Sequence, residues 1–293
     1  MRYAFFPGCV SKGGCPELYQ SMMEVYPTLG VELEEMTTAT CTGAGVLQEK
    51  DLKLGDVLNA RTFALAEKMK LPIMTICSTC QGVMSQANAR LTSDPEYLAN
   101  INEVLAEEGL TYQGSVSVRH FLWILLEDVG IKRIQEAVTQ PLTGLRVAPF
   151  YGCYLQRPSE ALGFDEHRSR AQSLERVIQL LGAEMVDFAG KTRCCGLPIL
   201  TINERNSLTM VANHTLEAKE QGADVMVTPC PLCHLNLDGM QTKAGKQRGV
   251  SIGLPILHLP QLLGLAMGFD PNRLGLNRNL ISPNSALSKI GVG

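Results

Sequence analysis

Short apolar runs alternate with amphipathic segments along the chain, and the alternation occurs twice. In each half an apolar run leads to a glycine and a cysteine, at 3–9 (YAFFPGC) and at 147–153 (VAPFYGC). A second apolar run ends at a CxxC turn, at 71–80 (LPIMTICSTC) and at 224–233 (DVMVTPCPLC). The lengths of these runs and the turn residues that bound them indicate buried parallel strands.

Amphipathic helices are predicted before the CxxC strands, at 54–70 and 204–221, where apolar residues recur at spacings of three and four. Two later segments, 118–130 and 256–268, each place a histidine before an apolar helix that ends at glycine. Each half therefore follows the order strand, loop, helix, strand, loop, helix. This predicts an α/β fold with two pseudo-symmetric halves, each a small parallel sheet flanked by helices with cysteine-bearing loops.

The repeat also predicts the domain organisation. We expect a first cysteine-rich domain at 1–143, a second at 144–272 and a C-terminal tail at 273–293. Pro141 and Gly144 interrupt the pattern near the seam between the two domains. The tail is rich in Asn, Ser and Leu, and we expect a partner to order it.

Composition narrows the class of protein. The net charge is −3, no basic run is present and aromatic residues make up 5%, which argues against nucleic acid as a partner. The N-terminal sequence does not resemble a signal peptide, and no apolar run is long enough for a transmembrane segment. We therefore expect a cytoplasmic protein, in which ten cysteines would be out of place as structural disulfides.

The ten cysteines fall into two sets of five that nearly repeat. The first set is Cys9, Cys15, Cys41, Cys77 and Cys80, and the second is Cys153, Cys194, Cys195, Cys230 and Cys233. Three members of the first set recur 153 residues later, and Cys9 recurs 144 residues later. Thiolates are soft ligands, and five in one half of a chain favour iron–sulfur chemistry.

The two sets differ in completeness. The second contains the adjacent pair Cys194 and Cys195, which suits a cluster with more than one iron. In the first, Thr42 stands where the second cysteine of that pair would be, which leaves four thiolates in register, the normal complement of a cubane [4Fe–4S] cluster. Cys15 has no counterpart; a fifth ligand, a redox-active thiol and a structural cysteine all remain open.

Other uses of cysteine account for the pattern less well. Structural zinc takes four thiolates and CxxC pairs, but it needs neither a fifth ligand nor a Cys-Cys pair. A thioredoxin-like CxxC motif would explain one pair of cysteines and leave the other eight. The closely spaced cysteine run of a ferredoxin is absent from the sequence.

The order Cys, Cys-Cys-Gly and CxxC resembles the CCG cysteine-rich domain. Two copies in one chain resemble the B subunit of heterodisulfide reductase, and the resemblance covers residues 3–268. It implies an oxidoreductase component whose non-cubane [4Fe–4S] cluster, held by five cysteines, acts on a disulfide. It also implies two partners, a ferredoxin-like iron–sulfur protein of the C-subunit type that delivers electrons and a flavoprotein.

Carried over by position, the resemblance implies two sets of cluster ligands. The second-half thiol set, which would bind the catalytic non-cubane cluster, is Cys153, Cys194, Cys195, Cys230 and Cys233. The first-half thiol set, which would bind an electron-relay cluster of expected cubane type, is Cys9, Cys41, Cys77 and Cys80. Because Thr42 makes the first motif degenerate, the chain is most similar to the heterodisulfide reductase-like subunit of sulfur-oxidising bacteria. The expected substrate is then a thiol, a disulfide or protein-bound sulfur.

His234 directly follows Cys233, and we consider it as a proton donor to substrate. A structural histidine at a helix start is the alternative. For the whole chain, two other functions remain open. One is an electron-transfer iron–sulfur subunit of the kind found in lactate or glycolate dehydrogenases, and the other is a zinc-stabilised interaction module.

Overall fold

The computed structural model describes residues 1–45 and 47–292, and its two halves each contain a four-stranded parallel sheet. The strands of the first sheet are β1 (Arg2–Phe6), β2 (Glu32–Glu35), β3 (Ile73–Thr75) and β4 (Val118–His120). Those of the second are β5 (Arg146–Pro149), β6 (Glu184–Met185), β7 (Val225–Thr228) and β8 (Ile256–His258). The orders β2-β1-β3-β4 and β6-β5-β7-β8 are the same arrangement built twice, which confirms the predicted fold class.

Helices cover both sheets. In the first half they are α1 (Cys9–Gly13), α2 (Pro16–Thr28), α3 (Leu47–Lys50), α4 (Leu52–Met69), α5 (Ser78–Ser93), α6 (Pro95–Leu105), α7 (Phe121–Ile124) and α8 (Ile131–Ala137). In the second they are α9 (Ser173–Leu180), α10 (Glu204–Glu220), α11 (Pro231–Gly239), α12 (Gln241–Arg248), α13 (Leu259–Ala266) and α14 (Asn284–Leu287). Within the described residues, none of these helices combines the length and the apolar character needed to cross a bilayer.

The number of strands differs from the prediction. Two strands per half were expected, whereas four are present, because β2 and β6 add at one edge and β4 and β8 at the other. β2 has the sequence ELEE and little buried surface, so it lacks an apolar run. β4 and β8 are three-residue strands that end in histidine, and they lie inside segments whose pattern predicted only a helix. Short or charged edge strands of this kind are typical of sheet margins.

Two apolar clusters each include residues of both halves. Helix α2 of the first half packs against α13 of the second. Tyr26, Phe121, Leu174 and Leu262 belong to the same fully buried cluster, and the Tyr26 hydroxyl donates to the Phe121 carbonyl at 3.0 Å. Apolar burial therefore fixes the position of each sheet relative to the other.

The segment predicted as a C-terminal tail packs against the rest of the chain, and its ordering by a partner stays a prediction. Leu276 and Leu287 are buried. Lys289 Nζ lies 2.6 Å from Asp224 Oδ1, on the surface of the second half. The domain boundaries themselves stay a prediction.

An arginine ties the two halves together at one margin. Arg170 forms a two-point ion pair with Glu127, with Nε 2.7 Å from Oε1 and Nη2 2.9 Å from Oε2. Its Nη1 donates to the Leu162 carbonyl at 2.8 Å, and its guanidinium lies over the Trp123 ring. The planar group thus serves three partners, which an ammonium cannot do in the same geometry.

We expect Arg170→Lys to lower the free energy of unfolding by about 2 kcal/mol. Arg119 still pairs with Glu127, but a lysine cannot reproduce the two-point contact with that carboxylate, the bond to the Leu162 carbonyl and the contact with the Trp123 ring. Arg61→Lys is the matched control, since Arg61 pairs with the largely exposed Glu108 and should cost about 0.5 kcal/mol. Denaturant midpoints of the three proteins, measured without oxygen, check this. Equal shifts for the two variants would contradict it.

Candidate functional site

The cysteines lie at the carboxyl edges of the two sheets. Cys9 begins α1 directly after β1, and Cys77 is the N-cap residue of α5 after β3. Cys230 occupies the same place between β7 and α11. Because all strands of a sheet are parallel, their carboxyl ends meet at one edge, where ligand sites in α/β sheets usually form. Each CxxC motif therefore spans a strand end and the first turn of a helix.

A glycine before the first cysteine of each half lets the backbone approach the CxxC sulfurs. Gly8 and Gly152 have φ of +74° and +72°, in the region that favours glycine. A Cβ on Gly152 would lie 2.8 Å from the sulfur of Cys233, and one on Gly8 would lie 3.4 Å from that of Cys80. The glycine therefore lies closer to the CxxC sulfur in the second half than in the first.

The structure brings the second-half thiol set together as one connected group. Its side chains interact in succession, in the order Cys153, Cys194, Cys195, Cys233 and Cys230. The two at the start of this order are partly exposed, and the other three are buried. Thiols from three separate loops therefore converge on one site.

Hydrogen bonds distribute charge unevenly within this group. The pKa of Cys194 is lowered by hydrogen bonds from the thiols of Cys153 and Cys195. The N–H of Gly196, 3.4 Å from Cys194 Sγ, adds to this effect. Hydrogen bonding to Cys194 and burial raise the pKa of Cys153. Cysteines bind metal as thiolates, so a cation in the group would stabilise the thiolate form of those cysteines that are otherwise hard to ionise.

Two polar side chains hold the Cys-Cys loop, and sequence reasoning missed both. His214 Nε2, on α10, lies 3.0 Å from the carbonyl of Cys194. Asn236 Nδ2, on α11, donates to the carbonyl of Cys195 at 2.7 Å. The signal in the sequence is a polar residue on the otherwise apolar face of a helix, and it does not by itself indicate which loop that residue contacts.

The first-half thiol set is more open. Cys9 Sγ lies 3.9 Å from Cys41 Sγ, and both residues are exposed. The Cys80 N–H points at Cys77 Sγ at 3.5 Å. Thr42 Oγ1 lies 3.8 Å from Cys80 Sγ. Thr42 therefore faces Cys80 in the first half, as its counterpart Cys195 faces Cys233 in the second.

The two thiol sets touch where the CxxC turns meet. The side chains of Cys77 and Cys230 interact across the boundary between the halves. Thr79 Oγ1 lies 3.6 Å from Cys230 Sγ, and Ser78 Oγ donates to the Pro229 carbonyl at 3.2 Å. The sulfur-rich region is therefore continuous from one half to the other.

A surface cavity of about 460 Å³ opens beside Cys153, between the halves. Tyr154 and Arg157 line it from the second half, and Gln86 and Arg90 line it from the first. Arg90 is paired with a buried carboxylate. Arg157 Nη2 donates to the backbone at Thr192, so its charge is available to the cavity.

Comparisons with known proteins give matches to both halves of the chain. The cysteine-rich domain family called CCG matches residues 3–85 and 147–238. The B subunit of the ferredoxin/F(420)H(2)-dependent CoB-CoM heterodisulfide reductase of Methanosarcina acetivorans is 32% identical over 99% of this chain and 97% of its own length. The chain belongs to the B-subunit family of heterodisulfide reductase. Grouped thiols are the ligands that iron–sulfur clusters take, so the donor set fits the cofactor that this family implies.

Other relatives of this B-subunit family member match over most of their lengths. The heterodisulfide reductase B-subunit-like protein of Archaeoglobus profundus is 31% identical over 94% of the chain and 93% of its own length. The 8-methylmenaquinol:fumarate reductase membrane anchor subunit of Wolinella succinogenes is 39% identical over 95% of the chain and 96% of its own length. A solved structure of a hypothetical protein from Helicobacter pylori shares the fold, with a TM-score of 0.76 at 17% identity. That match covers 96% of this chain and 52% of the solved one, so the chain spans about half its length.

Cys15 and His234, both singled out in the sequence of this B-subunit family member, lie together where the two halves meet. His234 is buried with Nδ1 3.9 Å from Cys15 Sγ, and its ring stacks on that of His258. Burial lowers the pKa of the His234 imidazole and raises that of the fully buried Cys15 thiol. A role for His234 as proton donor to substrate stays a prediction.

We expect Gly152→Ala to reduce bound iron in the second half more than Gly8→Ala does in the first. Both changes put alanine at a positive φ, a strained backbone conformation that costs about 1–3 kcal/mol, but only the first drives a methyl group into a cysteine sulfur. Iron per chain and electron paramagnetic resonance of both variants measure the difference. The same iron retention in both would contradict this explanation.

Proposed function

We propose that this chain is the iron–sulfur catalytic subunit of a heterodisulfide reductase-like complex, with thiol/disulfide or sulfane-sulfur redox at the second-half thiol set. At the coarser level, membership of the B-subunit family indicates a redox subunit of an oxidoreductase complex. The observation that carries the finer proposal is the connected group of five thiols with a cavity that reaches Cys153. Such an opening gives a small sulfur compound access to the group.

The proposal assigns one cluster to each thiol set. The second-half set would hold a non-cubane [4Fe–4S] cluster, and the first-half set would hold a second, cubane [4Fe–4S] cluster. When bound, such clusters supply single electrons, and an iron with an open position takes a substrate sulfur. The Gly196 N–H at Cys194 Sγ and the burial of Cys195, Cys230 and Cys233 would set the reduction potential in the second half.

The chain's own residues supply binding and orientation. Arg157 gives the cavity a positive side chain, which favours an anionic thiol or disulfide. The contact between Cys77 and Cys230 supports electron relay between the two sets. At the other end, Cys9 and Cys41 are exposed, which supports docking of a ferredoxin-like iron–sulfur protein on the first half. The proposed complex also contains a flavoprotein.

A second candidate is an electron-transfer subunit without a sulfur substrate. The similarity to a component of a menaquinol:fumarate reductase favours it, because that protein's name refers to a reaction in which no thiol or disulfide is named. In this case the clusters would only carry electrons between partners, and the cavity beside Cys153 would have no substrate.

We expect about eight iron and eight sulfide ions per chain in protein purified without oxygen. Cys195→Ser should abolish the paramagnetic signal of the second-half cluster and leave that of the first-half cluster. Cys41→Ser should abolish the first-half signal and leave the second-half signal, because each variant removes a ligand from one thiol set. Metal analysis and electron paramagnetic resonance of the three proteins test this. Zinc in both thiol sets, without iron or sulfide, would overturn the proposal.

A titration with an anionic small-molecule disulfide separates the two candidate functions. If the chain is catalytic, adding the disulfide to the reduced protein should produce a new paramagnetic signal that Cys195→Ser loses. Arg157→Gln should raise the concentration needed for half of this signal about tenfold, since it removes a charge-assisted contact. If the signals of the wild type do not change with disulfide, the electron-transfer candidate is favoured.

A further inference from the structure

Four buried side chains outside the two thiol sets converge where the halves meet. They are Cys15, Glu17, His234 and His258, and one ligand atom from each lies within 4.8 Å of the others. Cys15 and Glu17 lie at the start of α2 in the first half. His234 lies on α11 and His258 at the end of β8, both in the second half. We propose that these four residues bind one zinc ion that links the two halves.

The distances are close to those of a tetrahedral site. Zinc lies about 2.3 Å from sulfur and about 2.0–2.1 Å from nitrogen or oxygen, which separates tetrahedral ligands by about 3.3–3.6 Å. Cys15 Sγ is 3.9 Å from His234 Nδ1, and His258 Nε2 is 3.2 Å from Glu17 Oε1. Since no pair of ligand atoms is more than 4.8 Å apart, side-chain movements alone would close the group around an ion.

Neighbouring residues hold the ligands in place. Arg278 Nε lies 3.5 Å from Glu17 Oε2, the carboxylate oxygen that does not contact His258. Asn279 Nδ2 donates to the Ile256 carbonyl at 2.6 Å and lies 3.4 Å from His234 Nε2. These contacts leave Glu17 Oε1 and His234 Nδ1 for the centre of the group, as outer-shell residues do at metal sites.

Charge also favours a divalent cation. All four ligands are at most 5% exposed. A buried thiolate beside Glu17 needs a positive partner in addition to Arg278, which lies against the carboxylate. One thiolate and one carboxylate balance the two positive charges of zinc, and the imidazoles add nitrogen without adding charge. The mixture of one sulfur, two nitrogens and one oxygen suits zinc better than the all-sulfur ligand sets of iron–sulfur clusters.

The repeat supplies an internal control for the ligand group. In the motif alignment, Cys15 and Glu17 correspond to Ser159 and Ala161 of the second half. His234 and His258 correspond to Gln81 and His120 of the first half. Only His258 has the same residue, His120, at its counterpart position. The packing that the two halves have in common therefore does not account for Cys15, Glu17 and His234. The group is specific to one side of the molecule.

The group has a route to solvent. A cavity of about 330 Å³ is lined by Gly14, Glu17, His234, Asp238 and Arg278, among others. An ion can therefore enter after the halves have packed together. The bound ion would fix α2 against α11 and β8. This linking role needs no sulfur substrate, so the inference stands independently of the proposed function.

The test uses the full chain purified without oxygen, with iron and zinc measured in the same samples. We expect about one zinc per chain in addition to the iron. Zinc-edge X-ray absorption should show one sulfur and three nitrogen or oxygen neighbours. Less than about a fifth of a zinc per chain in zinc-supplemented cultures, or a zinc with four sulfur neighbours, would overturn the inference.

Variants locate the ion. Cys15→Ser and Glu17→Gln should each lower zinc per chain at least about tenfold at a fixed chelator concentration. His120→Gln is the matched control, because this histidine is equally buried but lies in the counterpart position; it should retain zinc. Retention of zinc in both ligand variants would also overturn the inference. If neither variant folds, the absorption spectrum of the wild type decides, and iron content reports separately on the proposed function.

Discussion

The contact between the two CxxC turns is the constraint on which the rest of the site depends. Ser78 and Thr79 of one turn reach Pro229 and Cys230 of the other. Both turns follow inner strands, β3 and β7, whose directions are fixed by parallel pairing on each side. The carboxyl edges of the two sheets therefore meet, and the thiols that these edges carry form one continuous sulfur-rich region. An antiparallel inner strand would have carried its CxxC turn to the opposite edge of its sheet.

The repeat made much of the fold predictable. Helices α4 and α10 lie where the apolar spacing placed them, because an amphipathic helix must show its core face in its sequence. The strands before the CxxC turns were predictable because a strand that is buried on both faces is a continuous apolar run in the sequence. β2 was missed because its glutamates are stabilised at an exposed edge by backbone pairing with β1, and three-residue strands such as β4 contain too few positions for a period to show.

The grouping of the thiols was predictable, but their surroundings were not. Cysteine is rare enough for its spacing to be informative, so the convergence of Cys153, Cys194 and Cys195 was expected from the sequence. Histidine and asparagine have many structural uses, and nothing in the sequence connects His214 to the loop that it supports. The approach of His258 to Glu17 joins residues 241 positions apart. Such a contact follows from how the halves dock, which local patterns do not encode.

The difference in exposure between the two thiol sets has a consequence for damage. Thiolate sulfur at the surface meets dissolved oxygen and peroxide directly, whereas buried sulfur is shielded until the fold opens. Cys9 and Cys41 are exposed, and Cys195, Cys230 and Cys233 are not. Oxidative attack should therefore begin at Cys9 and Cys41, continue at the partly exposed Cys153 and Cys194 beside the cavity, and reach the buried thiols of both halves last. A partner seated over the first half would also act as a shield for Cys9 and Cys41.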